Sequence, residues 1–185
     1  MEVGSLPAWR SSRALAAATG LRIVAAAPIM ALVLGHAYGI AAVVFLVAAA
    51  TDWFDGRLAR RWGVTTKLGS FLDTTADKLL VATALIALVA VHRASPWVAL
   101  VIITREFTIL GLRAAVEVGG VHMATSSLGR WKATLQFAAL ALAMLRPEVS
   151  FAGAYLDQWL LVLAALATAW SGIDYLIRST GALRA

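Results

Sequence analysis

Apolar stretches at residues 15–34, 38–60, 68–91, 96–118, 126–145 and 156–177 dominate this chain. A helix needs roughly 20 mainly apolar residues to cross a hydrocarbon layer about 30 Å thick, and each stretch is close to that length. Backbone amides cannot be left unpaired in lipid, so such segments fold as helices. The expected fold is all-α, a polytopic membrane protein with six transmembrane helices. Composition agrees: 61% hydrophobic and 14% charged residues make the chain too apolar for an ordinary soluble domain. Residues 15–178 are expected to form the transmembrane domain, residues 1–14 a juxtamembrane segment and residues 179–185 a C-terminal tail. Trp9 beside Arg10 and Arg13 gives residues 7–13 the character of an interfacial helix lying on the membrane. A frayed terminus is the alternative. Arg22 and Pro28 interrupt the first stretch and no clean cleavage site follows, so a signal peptide is not expected.

The loops around residues 35–36, 92–96 and 146–155 fall on one face, where the cations are Arg93 and Arg146. Arg10, Arg13, Arg57, Arg60, Arg61, Lys67, Arg130, Lys132, Arg178 and Arg184 collect on the other. The positive-inside bias puts that second face, with both termini, in the cytoplasm. The net charge of +6 therefore reads as affinity for anionic lipid, and nucleic acid is not an expected partner. The seven tryptophans, including Trp53, Trp62, Trp97, Trp131, Trp159 and Trp170, lie largely near the ends of the stretches, as an interfacial belt would.

Asp52, Asp55, Asp73 and Asp77 break the apolar pattern. Charge within a membrane span is costly and marks function by default. Asp52 and Asp55 are spaced i, i+3, and Asp73 and Asp77 i, i+4, so each pair projects from one helix face and the two pairs can converge. Bound cations make such convergence stable, and hard divalent ions such as Mg²⁺ or Mn²⁺ favour carboxylate-rich oxygen sites. With no cysteine in the chain, a metal would have to be held by oxygen or imidazole. His36, His92 and His122 share no ligand spacing and read as surface residues. Paired ions suit phosphoryl transfer. Gly56 and Ala59 leave a strip of helix without bulky side chains, for a ligand's approach or for helix packing. Arg60 and Lys67 frame the short loop beyond, as phosphate ligands or as cytoplasmic charge; Arg61 reads as the latter.

Together these residues spell Asp52-x2-Asp55-Gly56-x2-Ala59-Arg60-x8-Gly69-x3-Asp73-x3-Asp77. The pattern resembles the signature of the CDP-alcohol phosphatidyltransferase family at every defined position. That resemblance implies a six-helix homodimer in a membrane, with a cavity facing the cytoplasm. It implies that Asp52, Asp55, Asp73 and Asp77 hold two Mg²⁺ or Mn²⁺ ions. Thr51, Asp52, Asp55, Gly56, Ala59, Arg60, Lys67, Gly69 and Asp73 are then expected to bind CDP-diacylglycerol. Asp77 is implied as the general base that deprotonates the acceptor alcohol as CMP leaves. The expected location is a bacterial inner membrane.

The acceptor is read from the fourth and fifth stretches. Arg105 and Arg113, about two helical turns apart, can face one cavity and suggest an anion; Lys132 could add a third cation. In the other reading Arg105 pairs with Glu106 or Asp174 and Lys132 snorkels. The runs Ala76-Asp77-Lys78, Thr104-Arg105-Glu106-Phe107, Leu112-Arg113 and Gly129-Arg130-Trp131-Lys132-Ala133-Thr134 resemble the branch of the family that uses sn-glycerol 3-phosphate. By that resemblance Arg105, Arg113 and Lys132 grip the acceptor phosphate. The likeness covers about residues 21–136 and departs at Arg130, where lysine is common, and in an N-terminal region without the usual asparagines. Inositol phosphate or phosphatidylglycerol are the alternative acceptors, and an ion-coupled transporter the distant alternative function. Arg22, inside the first stretch, is expected either to snorkel or to meet the nucleotide diphosphate.

Overall fold

The computed structural model describes residues 8–62, 67–118, 127–151 and 153–182, and among them side chains at 20, 22–51, 71–116, 131–151 and 153–177. The described chain forms six helices: α1 (Ala8–Leu34), α2 (Tyr38–Trp62), α3 (Lys67–Ala90), α4 (Pro96–Val118), α5 (Ser127–Leu145) and α6 (Leu156–Ala182). All-α is thus the fold class, and four of the six apolar stretches lie wholly within one helix, while 68–91 and 126–145 match α3 and α5 to within one residue. Two ends differ from the sequence expectation. Helix α1 runs unbroken from Ala8, with no interruption between the expected juxtamembrane segment and the first apolar stretch, and it carries Pro28 inside it. The segment between α5 and α6 contains a hairpin, β1 (Ser150–Phe151) antiparallel to β2 (Ala154–Tyr155), with Gly153 at φ +80°. A two-residue strand is too short to leave an alternating pattern in sequence.

The helices close into a ring. α1 packs on α2 and α3, α2 on α5, α5 on α6, α6 on α4 and α4 on α3, with α3 also touching α5 across the middle. Ile29, Val33, Phe45, Leu80, Leu85, Leu88, Ile102, Leu140, Met144 and Leu161 fill the interior. Between them sit buried alanines, among them Ala41, Ala84, Ala87, Ala139, Ala143 and Ala164. Small residues let helix backbones approach closely, which is how apolar helices gain contact where water supplies no driving force. Large apolar side chains also cover the outside: Ile40, Val43 and Val47 on α2, Leu100 and Val101 on α4, and Leu163, Leu166 and Ile173 on α6 are exposed. Among the described residues, the segment Leu156–Ile177 of α6 is the one long and apolar enough to cross a membrane, with mean hydropathy 1.8.

Arginines tie the connections at one end of the ring. Three helices finish on a non-glycine residue in the left-handed conformation, His36 (φ 61°), His92 (φ 55°) and Arg146 (φ 41°), closed by bonds such as Ala37 N–H to the Leu32 carbonyl and Arg93 N–H to that of Leu88. Arg93 then donates to the Met144 carbonyl at 2.5 Å, satisfying the end of α5, and its guanidinium lies 3.4 Å from the centre of the Tyr38 ring. Arg146 donates to the Arg93 carbonyl at 3.0 Å and pairs with fully buried Asp157 in the first turn of α6 at 3.4 Å. The two cations expected in these loops are therefore structural. Replacing Asp157 with alanine strands Arg146 beside α6 and is expected to cost about 2–4 kcal/mol, read as a lower thermal midpoint of the detergent-solubilised protein. An unchanged midpoint would deny the pair that role.

Candidate active site

Helix α3 positions the first charged group. Asp73 and Asp77, one turn apart, both point at α1, where Arg22 reaches Asp73 Oδ1 at 2.7 Å and Asp77 Oδ1 at 3.0 Å. Arg22 is buried (2% exposed), while Asp73 and Asp77 retain 38% and 25% of their exposure. The guanidinium thus covers the inner side of the two carboxylates, which stay partly exposed. Neither sequence reading of Arg22 anticipated this, because pairing it with the carboxylates requires knowing that α1 packs on α3. Thr51, half-buried on α2, donates its hydroxyl to the Ala48 carbonyl at 2.7 Å, so its oxygen retains lone pairs for a ligand.

Asp52, Asp55, Gly56, Ala59 and Arg60 lie in α2, and Lys67 and Gly69 in the first turn of α3; their side chains fall outside the described residues, as does His122. Asp73 and Asp77 supply partly exposed carboxylate oxygens that already meet a cation, a donor type suited to a hard divalent ion. Among the described residues no third carboxylate or imidazole joins them.

A second cluster sits beside the first. Glu106 on α4 is buried (2% exposed) and its carboxylate takes three cations: Lys78 from α3 on Oε2, Lys132 from α5 on Oε1, and Arg105 from its own helix on Oε1 at 3.1 Å. Lys132 is buried as well. Arg105 extends a second arm, Nη2, to Ser171 Oγ on α6 at 3.0 Å. These four charged side chains hold three positive charges against one negative, an excess that favours an anion carrying more than one charge. Since Lys78 follows Asp77 directly in α3, the cationic cluster and the carboxylate pair are neighbours. At 1.5 Å per residue, Arg22, Asp77, Glu106 and Lys132 all lie roughly 15–20 Å along their helices from the end tied by Arg93 and Arg146.

The structure therefore brings together Arg105 and Lys132 of the expected phosphate site, and Asp73 and Asp77 of the expected metal site. Arg113 is half-buried two turns further along α4, and among the described residues no hydrogen bond or ion pair links it to the cluster. Glu106 was visible in sequence as a candidate partner of Arg105, and Lys78 as part of the run Ala76-Asp77-Lys78, but their meeting with each other and with Lys132 was not. Ser171 carried no signal at all.

Comparison with known proteins bears on this geometry. The model of the family described as CDP-alcohol phosphatidyltransferase matches residues 16–170. A protein of Escherichia coli K12 named CDP-diacylglycerol–glycerol-3-phosphate 3-phosphatidyltransferase is 46% identical over 143 residues, covering 74% of this chain and 76% of that protein. Proteins of the same name from Shigella flexneri serotype 5b and Salmonella choleraesuis are 45% and 43% identical. They cover 74% and 78% of this chain, and 76% and 80% of their own lengths.

Removing the carboxylate at the centre of the cationic cluster should be expensive. Glu106→Ala leaves Lys78, Arg105 and Lys132 facing one another without a counter-charge, with an expected loss of about 3–5 kcal/mol. Thermal unfolding of the two proteins in the same detergent measures it, and a midpoint equal to that of the wild type would contradict the arrangement.

Proposed function

Because the chain belongs to the CDP-alcohol phosphatidyltransferase family, we propose that it transfers the phosphatidyl group of CDP-diacylglycerol to sn-glycerol 3-phosphate, giving phosphatidylglycerophosphate and CMP in phospholipid biosynthesis. The observation that carries the choice of acceptor is the buried cluster around Glu106. Its excess of positive charge suits a phosphate monoester, which carries about −1.5 to −2 near neutral pH. An acceptor without a phosphate, such as free inositol, would leave that charge unanswered.

In this reading Arg105 and Lys132 hold the acceptor phosphate, with Arg113 entering from the next turns of α4. The acceptor's 1-hydroxyl then falls beside Asp77, the residue before Lys78. Asp77 takes the hydroxyl proton, the hydroxyl oxygen bonds to the phosphorus of the phosphatidyl group, and the bond from that phosphorus to the oxygen bridging to CMP breaks. The electron pair leaves with CMP. Arg22, tied to Oδ1 of Asp77, fixes the carboxylate's orientation during the proton transfer. Asp52, Asp55, Asp73 and Asp77 would hold two divalent ions, Mg²⁺ or Mn²⁺, which when bound neutralise charge on the diphosphate and on the leaving group. Thr51, Gly56, Ala59, Arg60, Lys67 and Gly69 complete the seat for CDP-diacylglycerol.

The setting we infer is a bacterial inner membrane crossed by all six helices, with the protein as a homodimer in lipid and its site open to the cytoplasm. The apolar outer faces of the helices support it. So do the exposed tryptophans, with Trp97 and Trp159 near the starts of α4 and α6 and Trp131 near that of α5. Charges that would be costly against lipid, Arg22, Glu106 and Lys132, are instead buried inside the ring.

Purified protein supplied with CDP-diacylglycerol and Mg²⁺ or Mn²⁺ should release CMP with glycerol 3-phosphate and stay idle with free inositol, serine or phosphatidylglycerol. Turnover confined to inositol 3-phosphate would overturn the acceptor. Asp77→Asn is expected to keep CDP-diacylglycerol binding while lowering kcat by about 10²–10⁴-fold. A near-normal rate would remove Asp77 from the base role.

A further inference from the structure

Helix α6 contributes nothing to the signature Asp52–Asp77, yet it decides where the Arg105 side chain can go. Two consecutive residues act on it. Ser171 Oγ accepts a hydrogen bond from Arg105 Nη2 at 3.0 Å, while Nη1 reaches Glu106 at 3.1 Å, so the planar guanidinium is held from two sides by two different helices. The next residue, Gly172, is buried against the stem of the same arginine. A Cβ built there would stand 2.9 Å from Arg105 Cγ, 3.2 Å from Nε and 3.6 Å from Cδ. Real Cβ atoms are essentially never found within 3.0 Å of another atom they are not bonded to, and Cγ is the near part of the side chain, which moves only by turning χ1 and carrying the whole guanidinium with it. Any side chain at position 172 must therefore displace Arg105. Helical glycine costs about 1 kcal/mol relative to alanine, so a glycine in the middle of α6 is a cost unless the space it leaves is used.

A groove between α4 and α6 runs past this contact, lined mainly by the apolar side chains of Leu100, Val101, Ile109, Ile173 and Leu176, with Arg105 and Gly172 in its wall. Among the described residues Arg105 Nε is buried with no hydrogen-bond partner, and it is the donor that a Cβ at position 172 would crowd. The seat thus holds both Nη nitrogens, while among the described residues the Nε–H has no partner.

We propose that Ser171 and Gly172 are positioning residues for the acceptor phosphate: together they set the guanidinium of Arg105, so that α6 takes part in acceptor specificity. This rests on the reading of Arg105 as an acceptor-phosphate ligand. The two residues do not touch the substrate. They act through the arginine, which needs its planar fork correctly aimed to bind an anion well.

The test is a double-mutant cycle on purified enzyme, with KM measured separately for glycerol 3-phosphate and for CDP-diacylglycerol in Arg105→Ala, Gly172→Ala, Ser171→Ala, Ser171→Thr and the double variants Arg105→Ala/Gly172→Ala and Arg105→Ala/Ser171→Ala. Arg105→Ala should raise the acceptor KM strongly. Gly172→Ala should raise it roughly ten- to a hundredfold and Ser171→Ala about tenfold. The CDP-diacylglycerol KM should stay unchanged in each, and Ser171→Thr, which keeps the oxygen, should recover most of the loss. In the Arg105→Ala background both second substitutions should have almost no further effect, since they act through the missing side chain. If Arg105→Ala raises the acceptor KM but the α6 variants do not, or if their effects add in full to it, the positioning role is overturned and the proposed acceptor site stands. If none of the variants moves the acceptor KM, both fall.

Discussion

A single buried carboxylate, Glu106, organises the inner part of this molecule. Burying one charge costs several kcal/mol even after relaxation, and the cost is recovered only when opposite charges and hydrogen bonds surround it. Here the recovery comes from three helices, through Lys78 on α3, Arg105 on α4 and Lys132 on α5, and Arg105 passes the connection on to Ser171 on α6. Arg22 does the same for α1 by clasping Asp73 and Asp77 of α3. Apolar contact among alanine-rich helices specifies closeness but not register, because one small residue replaces another at little cost. The ion pairs supply the register, since a slip of one turn, about 5.4 Å, would leave several buried charges without partners.

This organisation also separates two kinds of charge on one helix. Asp73 and Asp77 face α1 and the side of the molecule where divalent ions and a diphosphate would belong. Lys78, the next residue, turns toward α4 and the cationic cluster. A 100° step along α3 is therefore the boundary between the proposed phosphatidyl-donor half of the site and the acceptor half. In the proposed reaction, an acceptor held at the cations by its phosphate would be brought to Asp77 by the geometry of a single helix, and proximity of that kind is a large share of what an enzyme contributes to a bimolecular reaction.

The sequence was legible where physics is local. Helix positions followed from apolar length, and the observed starts of α2, α4 and α6 coincide with the expected ones at residues 38, 96 and 156. The carboxylate motif, with its helical spacing, pointed to the CDP-alcohol phosphatidyltransferase family, and the family comparison agrees. What was not legible depended on which helix faces which. Arg22 looked like an isolated cost until α1 was seen against α3. The two readings of Arg105, anion ligand or partner of Glu106, turned out not to exclude each other, since the pairing holds the guanidinium in the cationic cluster. Ser171 and Gly172 look like any small-residue pair in an apolar helix, because their significance lies in what stands opposite. Arg93 and Arg146, expected as loop charges, proved to be ties between helix ends, since unsatisfied carbonyls at those ends are invisible in a residue string.

The claim on which the rest depends is that the cluster around Glu106 reads the phosphate of the acceptor. The ratio of kcat/KM for glycerol 3-phosphate to that for glycerol, measured in the wild type and in Lys132→Met, tests it most directly. The account predicts a wild-type preference of about 10⁴-fold or more that falls by roughly a hundredfold in the variant, through glycerol 3-phosphate alone. A ratio that Lys132→Met leaves unchanged would contradict it.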